Sequence, residues 1–369
     1  MARRRRCDKG HERLVQGLLQ QRAAGDPLSV EQAQQAFEAV MTGQLSDAQT
    51  AALLSLMAQR VPEVDELVGA ALAMREHAIH VQAPAGMTVI DTCGTGGDQS
   101  STFNVSTAAA IVTAAAGRDA DIGVAKHGNR SISSQSGSSQ LLEKLGVTLS
   151  VNGDTLNRCL AEAGICFCYA PSHHPAMKYA APIRKELGFR TIFNLLGPLT
   201  NPAGATRQLI GVYSSALTEP LAEALQRLGA DRAMVVHGQI PDSDGLHIDG
   251  LDELSSCGAS RISEVRGESI HTYNIEPDDL GLTYSHPSAL RADGVEASAE
   301  RVRSVLRGEH GPAREIVALN AAAALVVAGA VGDMSEGLTR ALEAIDRGEA
   351  QRVLEQMVRI TSEDPTPTG

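Results

Sequence analysis

The sequence predicts an α/β protein: a small all-helical domain followed by a larger α/β domain with a mostly parallel central sheet flanked by helices. Three observations carry this expectation. Residues 12–78 place apolar side chains at helical spacing and show no strand alternation. From residue 87 onward, short apolar runs alternate with helical stretches, as in strands joined by helical crossovers. Residues 297–361 return to helical spacing.

Within the first region, Ser29-Val-Glu-Gln32 and Ser46-Asp-Ala-Gln49 read as capping boxes, each opening a helix. Ala33, Phe37, Val40 and Met41 form one apolar face, and Gly43 marks a stop. Pro62 falls where a first-turn proline is tolerated, ahead of Val64, Leu67, Val68 and Leu72. These signals predict about four helices. Strands are expected at 87–91, 121–125, 165–169, 209–213 and 233–237, with helices near 106–117, 139–145, 154–163 and 218–229. Residues 261–275 predict one or two further strands, an antiparallel edge among the options. GPAREIVALNAAAALVVAG, residues 311–329, is apolar nearly all round and predicts a buried helix. The final PTPTG is expected to fray.

The bulk numbers narrow the function. With 369 residues the chain supports two domains and a full core without staples. Net charge is −12, aromatic content 3%, and there is no Trp. That balance argues against a nucleic-acid or membrane surface and against a base-stacking platform. MARRRR is basic, but no apolar segment follows it, so it reads as a disordered tail rather than a secretory signal. The six cysteines are scattered without a CxxC pair, which suits reduced thiols rather than a disulfide or zinc framework.

In open α/β sheets ligands bind beyond the carboxyl ends of strands, so the residues after each strand run are the informative ones. After Met87–Ile90 comes DTCGTGGDQSS, with glycines at 94, 96 and 97, and then an alanine-rich helix opening at Ser106 or Thr107. Bare backbone beside a helix N-terminus suits an anion. A P-loop is disfavoured because no Lys follows the glycines, and a Rossmann turn because position 99 is Gln. Asp98 would repel a bare phosphate; it suits a sugar hydroxyl, a backbone N–H or a bound cation. The next strand run ends in KHGNRSISSQSGSS, residues 126–139, whose cations and small hydroxyls suit a highly phosphorylated ligand.

At this point the chain resembles the anthranilate phosphoribosyltransferases. The resemblance runs from about Ala33 to Ile360 and rests on GTGGD (94–98), TFNVST (102–107), KHGNRS (126–131), SGS (136–138), HPAMKYAAPIRKELGFRTIFNLLGPLTNPA (174–203) and GLDELS (250–255). It implies transfer of the ribosyl group of phosphoribosyl pyrophosphate (PRPP) to the amine of anthranilate, in tryptophan biosynthesis. It also implies a helical domain at 1–86, joined by a returning segment at about 178–198, and a PRPP-binding domain at 87–177 and 199–369. PRPP is then expected at Gly94, Thr95, Gly96, Gly97, Asp98, Thr102, Asn104, Ser106, Thr107, Lys126 and Ser138. Anthranilate is expected at Gly94, His127, Asn129, His174, Arg184 and Pro198, at the domain junction. Lys126 and Arg184 are the expected catalytic residues. Mg2+ is expected at Ser106, Asp252 and Glu253. A cytoplasmic homodimer through the helical domains, with no membrane or nucleic-acid partner, is expected as well.

That chemistry fits the residues. Departure of pyrophosphate puts negative charge on its oxygens, which N–H donors, Lys126 and a magnesium ion would stabilise. The aromatic amine needs positioning more than deprotonation, so no indispensable base is expected; Arg184 would hold the acceptor carboxylate. Two departures stand out: Gln99 where the family has Gly, and QIPDSDGLHI (239–248), inserted before the acid pair, whose DGLHI echoes DGLDE. The insertion reads as a surface loop, with a partner-binding or regulatory loop as the other option. Two other readings remain as alternatives, a pyrimidine nucleoside phosphorylase of the same architecture and a catalytically silent nucleic-acid-binding relative.

Overall fold

A computed structural model of the chain describes residues 9–98, 100–130, 137–241 and 250–364. The basic tail, Gln99, the serine-rich stretch 131–136, most of the insertion and the terminal PTPTG lie outside the described residues, with the expectations that fell on them. The chain divides into two compact units, Met1–Ile79 with His174–Thr200, and His80–His173 with Asn201–Gly369.

The first unit is helical. It contains α1 (Lys9–Ala23), α2 (Val30–Met41), α3 (Asp47–Met57) and α4 (Val64–Glu76), plus the short helices Ala181–Leu187 and Phe193–Leu196. Both capping boxes form. The Gln32 N–H donates to Ser29 Oγ (3.3 Å) while Gln32 Oε1 accepts the Ser29 N–H (2.9 Å), and Ser46 and Gln49 repeat the exchange. Pro62 departs from expectation. Glu63 takes the N-cap of α4, its N–H bonded to Glu66 Oε2, so the proline lies ahead of the cap rather than in the first turn.

Periodicity gave no sign of an ion pair inside this unit. Arg22 Nη1 lies 3.3 Å from Glu66 Oε1, with side chains 2% and 0% exposed. Glu66 Oε1 also accepts the Leu28 N–H (3.1 Å), and Arg22 Nη2 donates to Leu56 O (3.0 Å). One buried pair thereby ties α1, α3 and α4 together.

The second unit is built on a seven-stranded sheet in the order β3-β2-β1-β4-β5-β6-β7. The strands are β1 (Thr88–Gly94), β2 (Ile122–Gly128), β3 (Ile165–Tyr169), β4 (Arg207–Gly211), β5 (Arg232–Gly238), β6 (Ser260–Arg266) and β7 (Ser269–Ile275). β1 to β5 run parallel, and β6 and β7 form the antiparallel edge. β1 and β2 extend past their apolar runs because parallel pairing continues through polar residues. Gly94 pairs with Gly211, Lys126 with Phe167 and His127 with Cys168. The strand order reverses between β1 and β4, which makes their carboxyl ends the switch point where ligands bind.

Helices flank the sheet. α5 (Val105–Ala116) packs on β1 and β2 and on the helix Pro312–Ala328, in which every residue from Ile316 to Ala328 is buried. The carbonyl end of that helix is met by cations from the strand starts: Arg232 donates to Val326 O (3.2 Å) and Arg207 to Ala328 O. The described cysteines are all buried and free. Among the described residues no helix is long and apolar enough to cross a membrane.

Truncating one member of a buried ion pair strands the other. Glu66→Ala is therefore expected to cost about 3–5 kcal/mol in a urea titration followed by circular dichroism, and the double Arg22→Met, Glu66→Met variant distinctly less.

Candidate active site

The glycine turn is pinned across the switch point. Thr95 donates its N–H to Gly211 O (2.9 Å), and its Oγ1 accepts the Tyr213 N–H (3.2 Å). The segment carrying the acid pair crosses directly over these strand ends. A Cβ on Gly94 would stand 2.3 Å from Asp252 Oδ2, and one on Gly211 only 1.4 Å from Asp252 O. A side chain at 211 would displace the backbone of that segment, and one at 94 would displace the Asp252 carboxylate. The bare backbone at Gly211 thus admits the segment 250–255 and that at Gly94 admits the Asp252 carboxylate, while the Gly96 N–H donates to Asp252 Oδ2 (2.7 Å).

Two further contacts fix the segment. Gly238 and Leu251 exchange backbone hydrogen bonds (3.0 and 2.7 Å), closing the base of the insertion. Asn320, from the buried helix, accepts the Leu254 N–H (2.9 Å) and donates to Leu254 O (3.0 Å). The residue after the acid pair is thereby held at both backbone groups.

The result is an acidic cluster. Ligand oxygens of Asp98, Asp252 and Glu253 lie within 4.8 Å of one another. Asp98 Oδ2 and Glu253 Oε2 are buried without a hydrogen-bond partner among the described residues. Burial, and then the Asp252 charge, pushes the Asp98 carboxyl up to about 7. Burial, with the charges of Asp252 and Asp98, also holds Glu253 well above the usual carboxylate range. Converging hard oxygens with unspent lone pairs and mutual repulsion fit a divalent cation such as Mg2+.

Ser106 is engaged differently. Its Oγ accepts a hydrogen bond from Lys126 Nζ (3.3 Å), which also donates to Thr92 O. Lys126 is buried, and burial lowers its pKa, while Cys93, Asp91, Glu253 and Asp252 favour its charged form. α5 begins at Val105, so Ser106 and Thr107 sit inside its first turn and Asn104 takes the cap position. Asn104 makes no side-chain cap, and its Oδ1 accepts from Ser298 Oγ (2.9 Å). Thr107 Oγ1 is buried without a partner among the described residues, and Thr102 Oγ1 meets Ser100 Oγ (2.9 Å).

In the second loop, the His127 N–H donates to Asp91 Oδ1 (3.0 Å), Ser138 Oγ donates to Asn129 O (3.4 Å), and Arg130 pairs with Glu143 (2.9 Å). His174, Arg184 and Pro198 belong to the helical unit. There the Arg184 guanidinium lies over the Phe193 ring, 5.2 Å from its centroid. No carboxylate among the described residues pairs with it, and burial lowers its pKa.

Two participants escaped the sequence reading. Asn320 had a signal, being a lone amide in the otherwise apolar run Ile316–Ala328. Asp91 had none, because a strand aspartate beside a glycine turn looks like part of the turn.

Residues 86–351 match the glycosyl transferase family a/b domain and residues 16–78 the helical bundle domain of that family, so the fold and site are those of a two-domain glycosyltransferase. The anthranilate phosphoribosyltransferase of Rubrobacter xylanophilus is 46% identical over 349 residues, covering 94% of this chain and 98% of the relative. The chain belongs to the anthranilate phosphoribosyltransferase family. The Thermus thermophilus enzyme superposes with a TM-score of 0.84 at 40% identity, covering 94% of this chain and 99% of that one. The Saccharomyces cerevisiae enzyme in complex with PRPP and Mg gives 0.83 at 26% identity, covering 97% and 99%, and another of its structures holds 4-fluoroanthranilate. Neither the phosphorylase nor the nucleic-acid-binding alternative finds support among these relatives.

Because the Asp98 pKa is raised in the folded chain, the folded state binds the extra proton between about pH 4 and 7 and loses stability as pH rises through that window. In metal-free buffer, Asp98→Asn should therefore gain thermal midpoint over the parent on going from pH 5 to pH 8, as measured by differential scanning calorimetry.

Proposed function

We propose that the chain transfers the phosphoribosyl group of PRPP to the amine of anthranilate, releasing pyrophosphate. The observation that carries this reading is the cluster of Asp98, Asp252 and Glu253 lodged against the glycine turn at the switch point. A cluster of oxygen donors beside a turn of backbone N–H groups suits a metal-bound polyphosphate and would repel a bare anion.

In this reading Asp98, Asp252 and Glu253 hold Mg2+, with Ser106 as a further oxygen. Mg2+, when bound, would act as a Lewis acid on the departing oxygens and orient the pyrophosphate. The turn Gly94–Asp98, Thr102, Asn104, Thr107 and Ser138 hold the ribosyl and phosphate groups. The first turn of α5 presents backbone N–H groups to the anion, and Lys126 adds a fixed positive charge. Arg184 binds the acceptor carboxylate. An arginine partly withdrawn from water, with no acid beside it among the described residues, suits an anionic ligand, which would replace the lost hydration. His127, Asn129, His174 and Pro198 complete the acceptor path. The amine is already neutral, so the remaining task is alignment with C1 and exclusion of water. We also assign the enzyme to the cytoplasm, in keeping with its family, and place a homodimer contact on the helical unit.

Arg184→Ala should raise the anthranilate KM about tenfold or more with little change in that of PRPP, as read from initial rates of anthranilate fluorescence loss. Equal effects on both substrates would remove Arg184 from the acceptor site. Asp252→Asn combined with Glu253→Gln should abolish magnesium-dependent turnover and weaken Mn2+ binding in calorimetry. Retention of both would move the metal elsewhere.

A further inference from the structure

We infer that Phe193 is a positioning residue for the acceptor carboxylate: its ring face holds the Arg184 guanidinium, and Phe37 holds the ring. The inference rests on the assignment of Arg184 to that carboxylate.

Arg184 lies in the helix Ala181–Leu187, which fixes its backbone. Its long side chain has many rotamers, and no carboxylate among the described residues selects one. The contact present is with Phe193, whose centroid lies 5.2 Å from the guanidinium carbon. The negative face of an aromatic ring attracts a cation more strongly as water is withdrawn, and burial lowers the pKa of this arginine. A ring also leaves every N–H free. An acid in the same place would occupy those donors and cancel the charge that the ligand needs.

The ring is itself immobilised. Phe193 is 5% exposed and meets Phe37 of α2 edge to face, centroids 5.4 Å apart with the planes at 65°. Phe37 is fully buried. The turn before Phe193 is tied by Asn194 Oδ1, which accepts the Thr191 N–H (3.0 Å). A rigid chain of contacts therefore runs from the core of the helical unit to a charged tip with open donors. Arginine held ready in this way loses less rotamer freedom when it meets a carboxylate, so the benefit falls on acceptor binding.

The test uses the full-length enzyme with magnesium, with Phe193→Leu and Phe193→Tyr each made in the parent and in Arg184→Ala. Phe193→Leu should raise the anthranilate KM about tenfold, with kcat and the PRPP KM within about twofold of the parent. Phe193→Tyr keeps the ring face and should restore the parent value. In the Arg184→Ala background, Phe193→Leu should add no further penalty. An equal penalty in both backgrounds would show that the ring only packs, and would overturn the proposal. So would a parent-like KM for Phe193→Leu. If the leucine variant does not fold, Phe193→Met keeps the volume without the ring and is read by the same criteria. If Arg184→Ala alone leaves the anthranilate KM unchanged, the acceptor assignment itself falls, a result distinct from failure of Phe193→Leu alone.

Discussion

The active centre depends on one close approach, the passage of the segment 250–255 over the carboxyl ends of β1 and β4. Backbone and carboxylate of Asp252 occupy the space that side chains at positions 94 and 211 would fill. This crowding brings Asp252 and Glu253 from distant sequence against Asp98 and the N–H of Gly96. Once there, the three acids repel one another and are partly stripped of water. Burial and that repulsion push the Asp98 and Glu253 carboxyls above their usual range. The donor set of such a cluster suits a divalent cation.

The surroundings stiffen this arrangement. Asn320 clamps Leu254 from the buried helix, and the Gly238–Leu251 bridge anchors the segment on its other side. That bridge joins the end of β5 to the residue just before the acid pair. Lys126 and Ser106 form a second polar contact, next to the start of α5. Lys126 and the acid cluster also act on one another, since the charges of Glu253 and Asp252 favour the charged form of the lysine. In the helical unit, Arg184 is supported by an aromatic face that leaves its donors open.

Much of this was legible in the chain. Capping boxes at Ser29 and Ser46, alternating apolar runs and the bare turn at Gly94 depend on residues close in sequence, so local patterns expose them. The uniformly apolar stretch 311–329 announced a buried helix for the same reason. The strand ends were less legible. Lys126 and His127 read as loop residues because they are polar, yet β2 continues through them on hydrogen bonds supplied by β3. The helix α5 begins just ahead of Ser106, and its cap residue Asn104 is bonded by Ser298, nearly two hundred residues away, a contact no local pattern shows. The pair Arg22–Glu66 looked like two ordinary surface charges, and only helix packing removed both from water.

By itself, the sequence determined the fold class, the family and the chemical types gathered at each strand end, since periodicity and contiguous motifs are local properties of the chain. The tertiary structure alone decided which of the many carboxylates meet, that Asp98 joins Asp252 and Glu253, and that Arg184 faces a ring instead of an acid. Those are outcomes of strand order and of close packing between segments far apart in sequence, and for such segments spacing along the chain does not say which of them meet.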